Sequence, residues 1–434
     1  MVYIQKDLYT CDKNKVINIV YNFMKNDSTK IRYYICVTPF FPSPTRWQGA
    51  YVLDQVKAIQ RNSEYKVLVF KTNVWSCKED DYDIEGIHVH TIRPLLMPSY
   101  ILNGITENIV GQMFVYKLKV LGIDLNQIAF IHCHTTNHSA FGYGIKKVNP
   151  EAKVIIQFHD LDPLTIRNGK LANNYWNRRY RARKSIKAIN KADLLVCISE
   201  PVRRVIEYFP KPRPEEVYEP AIKMYEQLKD MPTLKPKNIY VLNNGVDISI
   251  FKKQQYSNSK NDNIFRIGCV ANFQELKDHK TLVEAFNILI KKGYKNMRLS
   301  MLGSGETKEY IKNLTKQYNI YDLIEWHKEI SHEKLPDYYN TLNLFVLPSY
   351  FEGFGCVYTE AYACGVPFIC CEHQGAAECI SPEEKDLWLI RPKNSEELAN
   401  LIERQYKEKN VQHLIKDYNI NNLIKNFLSY LEGI

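Results

Sequence analysis

Two glutamates separated by seven residues, Glu352 and Glu360, are the most informative pair in the chain. They lie in LFVLPSYFEGFGCVYTEAYACGVPFICCE, residues 344–372, which reads as a buried strand, a loop holding Glu352-Gly353-Phe354-Gly355, and a helix that carries Glu360 and closes at Gly365. Carboxylates accept hydrogen bonds from vicinal hydroxyls, so one could hold a hexose and the other a ribose. In parallel sheets ligands bind beyond the carboxyl ends of strands, and a helix start there offers unpaired N–H groups to an anion. Glycines at 353 and 355 would let the backbone approach a ligand closely. A plain strand–turn–helix with one surface Glu and one helical Glu accounts for the loop alone equally well.

Other residues gain meaning beside that pair. Lys277 follows the strand FRIGCVA and could neutralise a diphosphate leaving group, though a loop lysine alone is usually a solvated charge. Another strand ends in LGSGE, where Gly303 and Gly305 would leave room for a nucleotide or simply make a turn. After the first strand, PFFPSPTRWQGAYVLDQVKAI places Gly49 and Ala50 at a helix start, which suits an anion or acceptor loop or a proline-rich turn. The strand AKVIIQFH ends at His159, which would project into the same crevice from the opposite wall.

The elements that must position these residues are short apolar runs alternating with helical patterns, the sequence form of repeated βαβ units. Six such strands precede residue 250, and a second series begins at Phe265. A length of 434 residues likewise favours two domains, hence a cleft. The expected organisation is an N-terminal extension (1–30), a first domain (31–247) with a proline-rich insertion at about 210–237, a linker (248–263), a second domain (264–418), and a terminal helix (419–434).

Composition narrows the class. Hydrophobic residues at 45% and charged residues at 24% fit a packed globular chain. No apolar run approaches the eighteen or so residues of a membrane span, and residues 1–30 are too polar for a secretory signal. Eleven cysteines, scattered without a CxxC pair, read as reduced thiols, so a cytoplasmic location is expected. A net charge of +10 would attract a phosphate-bearing substrate, an anionic membrane face or nucleic acid without choosing among them.

The order of motifs, from FPSPTRWQG through QFHDLD, ADLLVCIS, VLNNGVD, the Lys277 loop and LGSGE to EGFGCVYTE and CGVPF, resembles the retaining glycosyltransferases of family 4 type (glycosyl transferases group 1) over roughly residues 31–400. The resemblance implies the α/β fold called GT-B: two Rossmann-like βαβ domains facing across a cleft, with the C-terminal helix crossing back to the first. It implies that Glu360 binds the nucleotide ribose, that Glu352 and the amides of Gly353, Phe354 and Gly355 hold the donor sugar, that Lys277 binds the diphosphate, and that His159 contacts the sugar. Asn272, Gly303 and Gly305 fall on the donor side, Gly49 and Ala50 on the acceptor side. The chain departs from the family at three places. Asn272 stands where an arginine is usual, His159-Asp160-Leu161-Asp162 replaces an HGxD-like turn, and Gly375-Ala376-Ala377-Glu378 replaces a GGxxE-like loop.

Competing signals are weaker. Asp81 and Asp83, and Asp160 and Asp162, have the D-x-D spacing that holds a metal in other glycosyltransferases, but the first pair lies in a charged stretch and the second belongs to the family's turn. His132, Cys133, His134 and His138 lack a closed four-ligand spacing, so strand-end packing is expected and no metal or cofactor is assigned. Residues 167–193 are the densest basic segment, with Arg178, Arg179, Arg181, Arg183, Lys184 and Lys187 among Tyr175, Trp176 and Tyr180. A solvated helix accounts for it; as a contact surface it suits a membrane face rather than nucleic acid. The expected activity is transfer of a hexose from a UDP- or GDP-sugar, with retention, to a glycan or lipid-linked glycan in cell-surface polysaccharide synthesis, with peripheral contact at the cytoplasmic membrane face. The alternatives are a phosphorylase or sugar-nucleotide epimerase of the same fold, or a non-catalytic sugar- or nucleic-acid-binding protein.

Overall fold

Strands buried on both faces need apolar side chains at every position rather than at alternate ones. YYICVT, LLVC, LFVL and FICC meet that condition, each being buried along its whole length. The computed structural model describes residues 31–44, 48–74, 77, 79–94, 106–159, 166–167, 170–171, 176–211, 226, 229–254 and 263–434.

The first domain runs β1 (Tyr33–Thr38), α1 (Ala50–Arg61), β2 (Lys66–Thr72), β3 (Tyr82–Ile84), β4 (Ile87–Ile92), α2 (Glu107–Val120), β5 (Ile128–Cys133), α3 (Ser139–Lys146), β6 (Lys153–Phe158), the short pair β7 (Ile166–Arg167) and β8 (Lys170–Leu171), α4 (Trp176–Ile189), β9 (Leu194–Cys197), α5 (Glu200–Tyr208) and β10 (Ile239–Val241). Its eight-stranded sheet has the order β10-β9-β6-β5-β1-β2-β4-β3, parallel except for the edge hairpin β3–β4. That hairpin was absent from the sequence expectation. Its turn is Glu85-Gly86, both at positive φ (47° and 80°), the backbone a tight two-residue hairpin requires.

The second domain runs β11 (Phe265–Val270), α6 (His279–Lys291), β12 (Met297–Leu302), α7 (Lys308–Gln317), β13 (Ile324–His327), α8 (Leu335–Asn340), β14 (Leu344–Leu347), α9 (Cys356–Ala363), β15 (Phe368–Cys371), α10 (Lys385–Trp388), β16 (Leu389–Ile390), α11 (Ser395–Glu408) and α12 (Ile420–Glu432). Its six strands are all parallel, in the order β13-β12-β11-β14-β15-β16. The side chain of Asp278 caps α6 by accepting the Thr281 amide at 3.3 Å, which satisfies one of the helix's free N–H groups.

The chain crosses between the domains at two adjacent places. The Val246 amide donates to the Tyr418 carbonyl (2.9 Å), and the Ile420 amide donates back to the Val246 carbonyl (3.0 Å). Helix α12 then lays Ile420, Ile424, Phe427, Leu428 and Leu431 against Tyr34, Ile59, Phe130, Ile155 and Leu242 of the first domain. Burying such side chains contributes about 1.5–3 kcal/mol each, so the last helix is a structural part of the first domain. The 248–263 connection is not solvated throughout, because Ile250 and Phe251 pack against the main core, Phe251 with its ring 5.0 Å from that of His332. The 1–30 extension, most of the 210–237 insertion, residues 255–262, and Asp160 and Asp162 lie outside the described residues.

Candidate functional site

Three loops at the carboxyl ends of β11, β14 and β15 are stitched together by hydrogen bonds of backbone and short polar side chains. The Ser349 hydroxyl and the Tyr350 amide both donate to the Leu276 carbonyl, at 3.0 and 3.1 Å. The Glu352 amide donates to Gln374 Oε1 (2.7 Å), and the Gly375 amide donates to the Glu352 carbonyl (3.1 Å). Within this frame Lys277, on a 3-10 turn (Glu275–Lys277), pairs its ammonium with the Glu352 carboxylate. Their side chains are 19% and 15% exposed, enough shelter from solvent to strengthen the pair without removing it from the cleft.

Glu360 lies on α9 and is almost buried. One of its oxygens accepts the Tyr339 hydroxyl at 2.8 Å, and the other is 3.8 Å from His332 Nε2. Burial alone would push the His332 imidazole down, but the facing Glu360 carboxylate and the charge of Asp54 hold it above the ordinary histidine value. Asp54, on α1 of the first domain, is raised to about 6, by burial first; His332 opposes the shift and Glu360 adds to it. Gly49, Ala50 and Asp54 face Phe251, His332 and Glu360 across a cavity of about 130 Å³ between the domains. The structure therefore brings the expected acceptor loop and the second glutamate into one cleft. Gly49 earns its place conformationally, with φ 93° and a Cβ position only 2.5 Å from the Phe40 carbonyl.

The first domain meets the Glu352–Gly355 loop at His159. A Cβ on Gly353 would stand 2.8 Å from the His159 carbonyl oxygen, so this glycine permits the two domains to touch. The His159 ring itself is turned onto the first domain's own residues. Its Nε2 is 2.9 Å from His134 Nδ1, the two rings stack at 7° with centroids 5.1 Å apart, and Tyr51 lies 5.0 Å away. Its Nδ1 has no hydrogen-bond partner among the described residues. Burial lowers His159 and His132 to about 3 and His134 well below the ordinary value, so all three rings are neutral near pH 7. His132 and Cys133 are fully buried at the end of β5, the strand-end packing that the sequence suggests for them, while His159 stands at the end of β6 beside Gly353.

Other expected site residues have local duties. A Cβ on Gly303 would lie 2.1 Å from the Ala271 carbonyl, and one on Gly305 would lie 2.5 Å from that of Phe273. Their missing side chains make room for the neighbouring loop, whose Asn272 carbonyl accepts the Gln274 amide at 2.8 Å. Phe354 is buried against Tyr418, leaving only its backbone for the loop. Gly355, at φ 85°, caps the start of α9.

Sequence reasoning did not find Asp54, His332, Tyr339 or Gln374, or the part played by His134. It noted Glu378 only as part of a loop. That carboxylate accepts the Glu200 amide at the start of α5 (2.6 Å) and the Asn243 side-chain amide (2.5 Å), joining the β15 loop to the first domain. Burial raises it to about 7, against the pull of those hydrogen bonds. Among the described residues the one group with metal-ligand geometry is Asp81, His88 and His90, on the edge hairpin. There Asp81 pairs with His90 at 2.9 Å and Asp83 with His88 at 3.0 Å.

Residues 250–422 match the family model described as glycosyl transferases group 1. The chain is 31% identical over 183 residues to the capsular polysaccharide biosynthesis glycosyltransferase CapM of Staphylococcus aureus, a match covering 40% of this chain and 46% of that protein. It spans less than half the length of the staphylococcal relatives it matches. Among solved structures, a glycosyltransferase from Rickettsia africae superimposes with a TM-score of 0.65 at 16% identity, covering 93% of this chain and 98% of the other. Anabaena HepE in complex with UDP and glucose superimposes at 0.59 with 17% identity, covering 92% and 95%. The fold is therefore GT-B, and the match to the glycosyl transferases group 1 family lies in residues 250–422, in its second half.

Proposed function

We propose that the chain transfers a hexose from a UDP- or GDP-sugar to a glycan acceptor with retention at the anomeric carbon, as glycosyltransferases of family 4 type do. The observation that carries this reading is the convergence of Lys277, Glu352 and the Gly353–Gly355 backbone on the rim of the first domain at His159. The complex of HepE with UDP and glucose supports a nucleotide-sugar donor, and the likeness to CapM supports polysaccharide synthesis, for which we take a lipid-linked glycan as the acceptor.

In this mechanism the donor diphosphate competes with Glu352 for Lys277, and the released carboxylate turns to the sugar hydroxyls. Glu360 accepts from the ribose hydroxyls, held in place by Tyr339. The acceptor hydroxyl attacks the anomeric carbon from the side the diphosphate leaves. The bond from that carbon to the diphosphate oxygen breaks, the diphosphate departs with its electron pair, and it takes the acceptor's proton. Lys277 and the α9 amides stabilise the charge that develops on it. Glu352 and Glu360 act as binding groups, and neither forms a covalent intermediate. The residues named here supply the charge stabilisation, so transfer proceeds without a metal cofactor.

No helix among the described residues is long and apolar enough to cross a membrane. We place the reaction on the cytoplasmic membrane face, reached peripherally. The test is a panel of nucleotide sugars screened for thermal stabilisation, followed by determination of the product's anomeric configuration. An inverted product would rule out the retaining mechanism, and an unchanged melting point with every nucleotide sugar would rule out the donor class.

A further inference from the structure

The hairpin at the edge of the first domain's sheet gathers imidazoles and carboxylates on one face. β3 and β4 pair with Tyr82 opposite Val89, Asp83 opposite His88 and Ile84 opposite Ile87. Side chains alternate along a strand, so Ile84, Ile87 and Val89 enter the core while Asp81, Asp83, His88 and His90 share the other face. One ligand atom from each of Asp81, His88 and His90 lies within 4.8 Å of the other two.

The three groups are already braced. Asp81 Oδ1 accepts the Thr91 amide at 2.8 Å and the Thr91 hydroxyl at 3.2 Å, and Oδ2 is turned to His90 Nδ1 at 2.9 Å. Two donors bound to one metal at about 2.0–2.2 Å stand roughly 3 Å apart, so this pair has the spacing of neighbouring ligands. Phe70 supports the His90 ring from the next strand, stacked at 26° with centroids 5.1 Å apart. The His88 ring is 4.7 Å from that of His90. His88 Nδ1 is 3.0 Å from Asp83 Oδ1, and a carboxylate on one ring nitrogen orients an imidazole and raises its basicity toward a metal. The His88 side chain is 52% exposed, so it can close the remaining distance without disturbing the core.

A solvated edge strand needs only charge, which lysine or aspartate alone supplies. Two imidazoles facing a fixed carboxylate are the donor set of a borderline divalent cation, because imidazole suits zinc, nickel and copper whereas magnesium and calcium take oxygen ligands. We propose that Asp81, His88 and His90 bind a single divalent cation of the zinc type, with Asp83 as the orienting carboxylate of His88. The ion fastens β3 to β4 at the open edge of the eight-stranded sheet. Lys277, Glu352 and Glu360 take no part in it, so the site stands independently of the transferase reading and supplies nothing to the transfer step.

The experiment is titration of the full chain, freed of metal by a chelator, with Zn²⁺ by calorimetry and with Co²⁺ by visible absorption. The parent should take up a single Zn²⁺ per chain with micromolar or tighter affinity, and its melting point should rise as the metal is added. His88→Ala should weaken that affinity about a hundredfold, and Asp83→Asn about tenfold, as loss of an outer carboxylate does. Asp83 and His88 both face solvent, so neither variant should much move the metal-free melting point. The Co²⁺ complex should absorb without thiolate charge-transfer bands, which separates this site from the chain's cysteines. No Zn²⁺ uptake by the parent, a dissociation constant in the millimolar range, undiminished affinity in His88→Ala, or thiolate bands in the Co²⁺ complex would each overturn the proposal.

Discussion

The carbonyl oxygen of His159 and the α-carbon of Gly353 approach so closely that a methyl group on the glycine would stand 2.8 Å from that oxygen. Ile198 crowds the same position, its Cδ1 at 2.9 Å. A side-chain methyl can rotate away; a strand-end carbonyl cannot without moving the first domain. Gly353→Ala should therefore push the domains apart and lower kcat/KM about tenfold or more, while the melting point moves by only a few degrees. Steady-state kinetics and a thermal melt on the same preparation check this.

The ion pair between Lys277 and Glu352 is sheltered on both sides, so removing one partner leaves the other exposed to an unfavourable environment. Lys277→Ala and Glu352→Ala should each destabilise by about 1–3 kcal/mol, and the double variant should be destabilised by less than their sum. Each single variant should lose donor turnover. Denaturant unfolding of all four proteins measures the coupling.

Much of this site was readable in the sequence because its parts are local. Glu352, Gly353, Gly355 and Glu360 sit within one strand–loop–helix, and the doubly buried strands announce themselves as unbroken apolar runs. The β3–β4 hairpin escaped because its strands are short and polar on one side, with only Glu85-Gly86 to mark the turn. Tyr339 and Glu360 meet across 21 residues, and His134 and His159 across 25. Such meetings are set by strand register and helix packing, which composition and spacing do not encode. The glycines at 303 and 305 show the opposite problem, since a nucleotide and a neighbouring loop both require a missing side chain.

The buried histidines make stability depend on pH with a definite sign. His132, His138 and His159 are lowered to about 3, 4 and 3 by burial, from an ordinary value near 6.5 in the unfolded chain. A group depressed in the folded state contributes stability above its unfolded pKa and loses it as pH falls toward the folded one. The parent's melting point should therefore drop between pH 6.5 and pH 4, and His138→Gln should drop less steeply over that range.

His134 should act on donor binding through His159, whose ring it orients by the 2.9 Å contact. His134→Ala should raise KM for the donor more than it lowers kcat, because it loosens a binding group without removing a charge. Asparagine at 134, which can still hydrogen-bond, should restore part of the loss.

Glu378 opposes the histidine trend. Its folded value of about 7 exceeds the ordinary 4.5, so its contribution is complete below pH 4.5 and is lost as pH rises through 7. Compared with the parent, Glu378→Gln should show a melting point that declines less between pH 5 and pH 8. A differential melt across that range isolates the term from the histidines.

The most direct measurement is donor-dependent stabilisation and turnover in three proteins, the parent, Lys277→Ala and Glu352→Ala. One nucleotide sugar should raise the parent's melting point and be consumed with retention, and both effects should vanish or fall steeply in each variant. Stabilisation and turnover that persist undiminished in both variants would show that the donor binds elsewhere and that the convergence of these side chains is only structural.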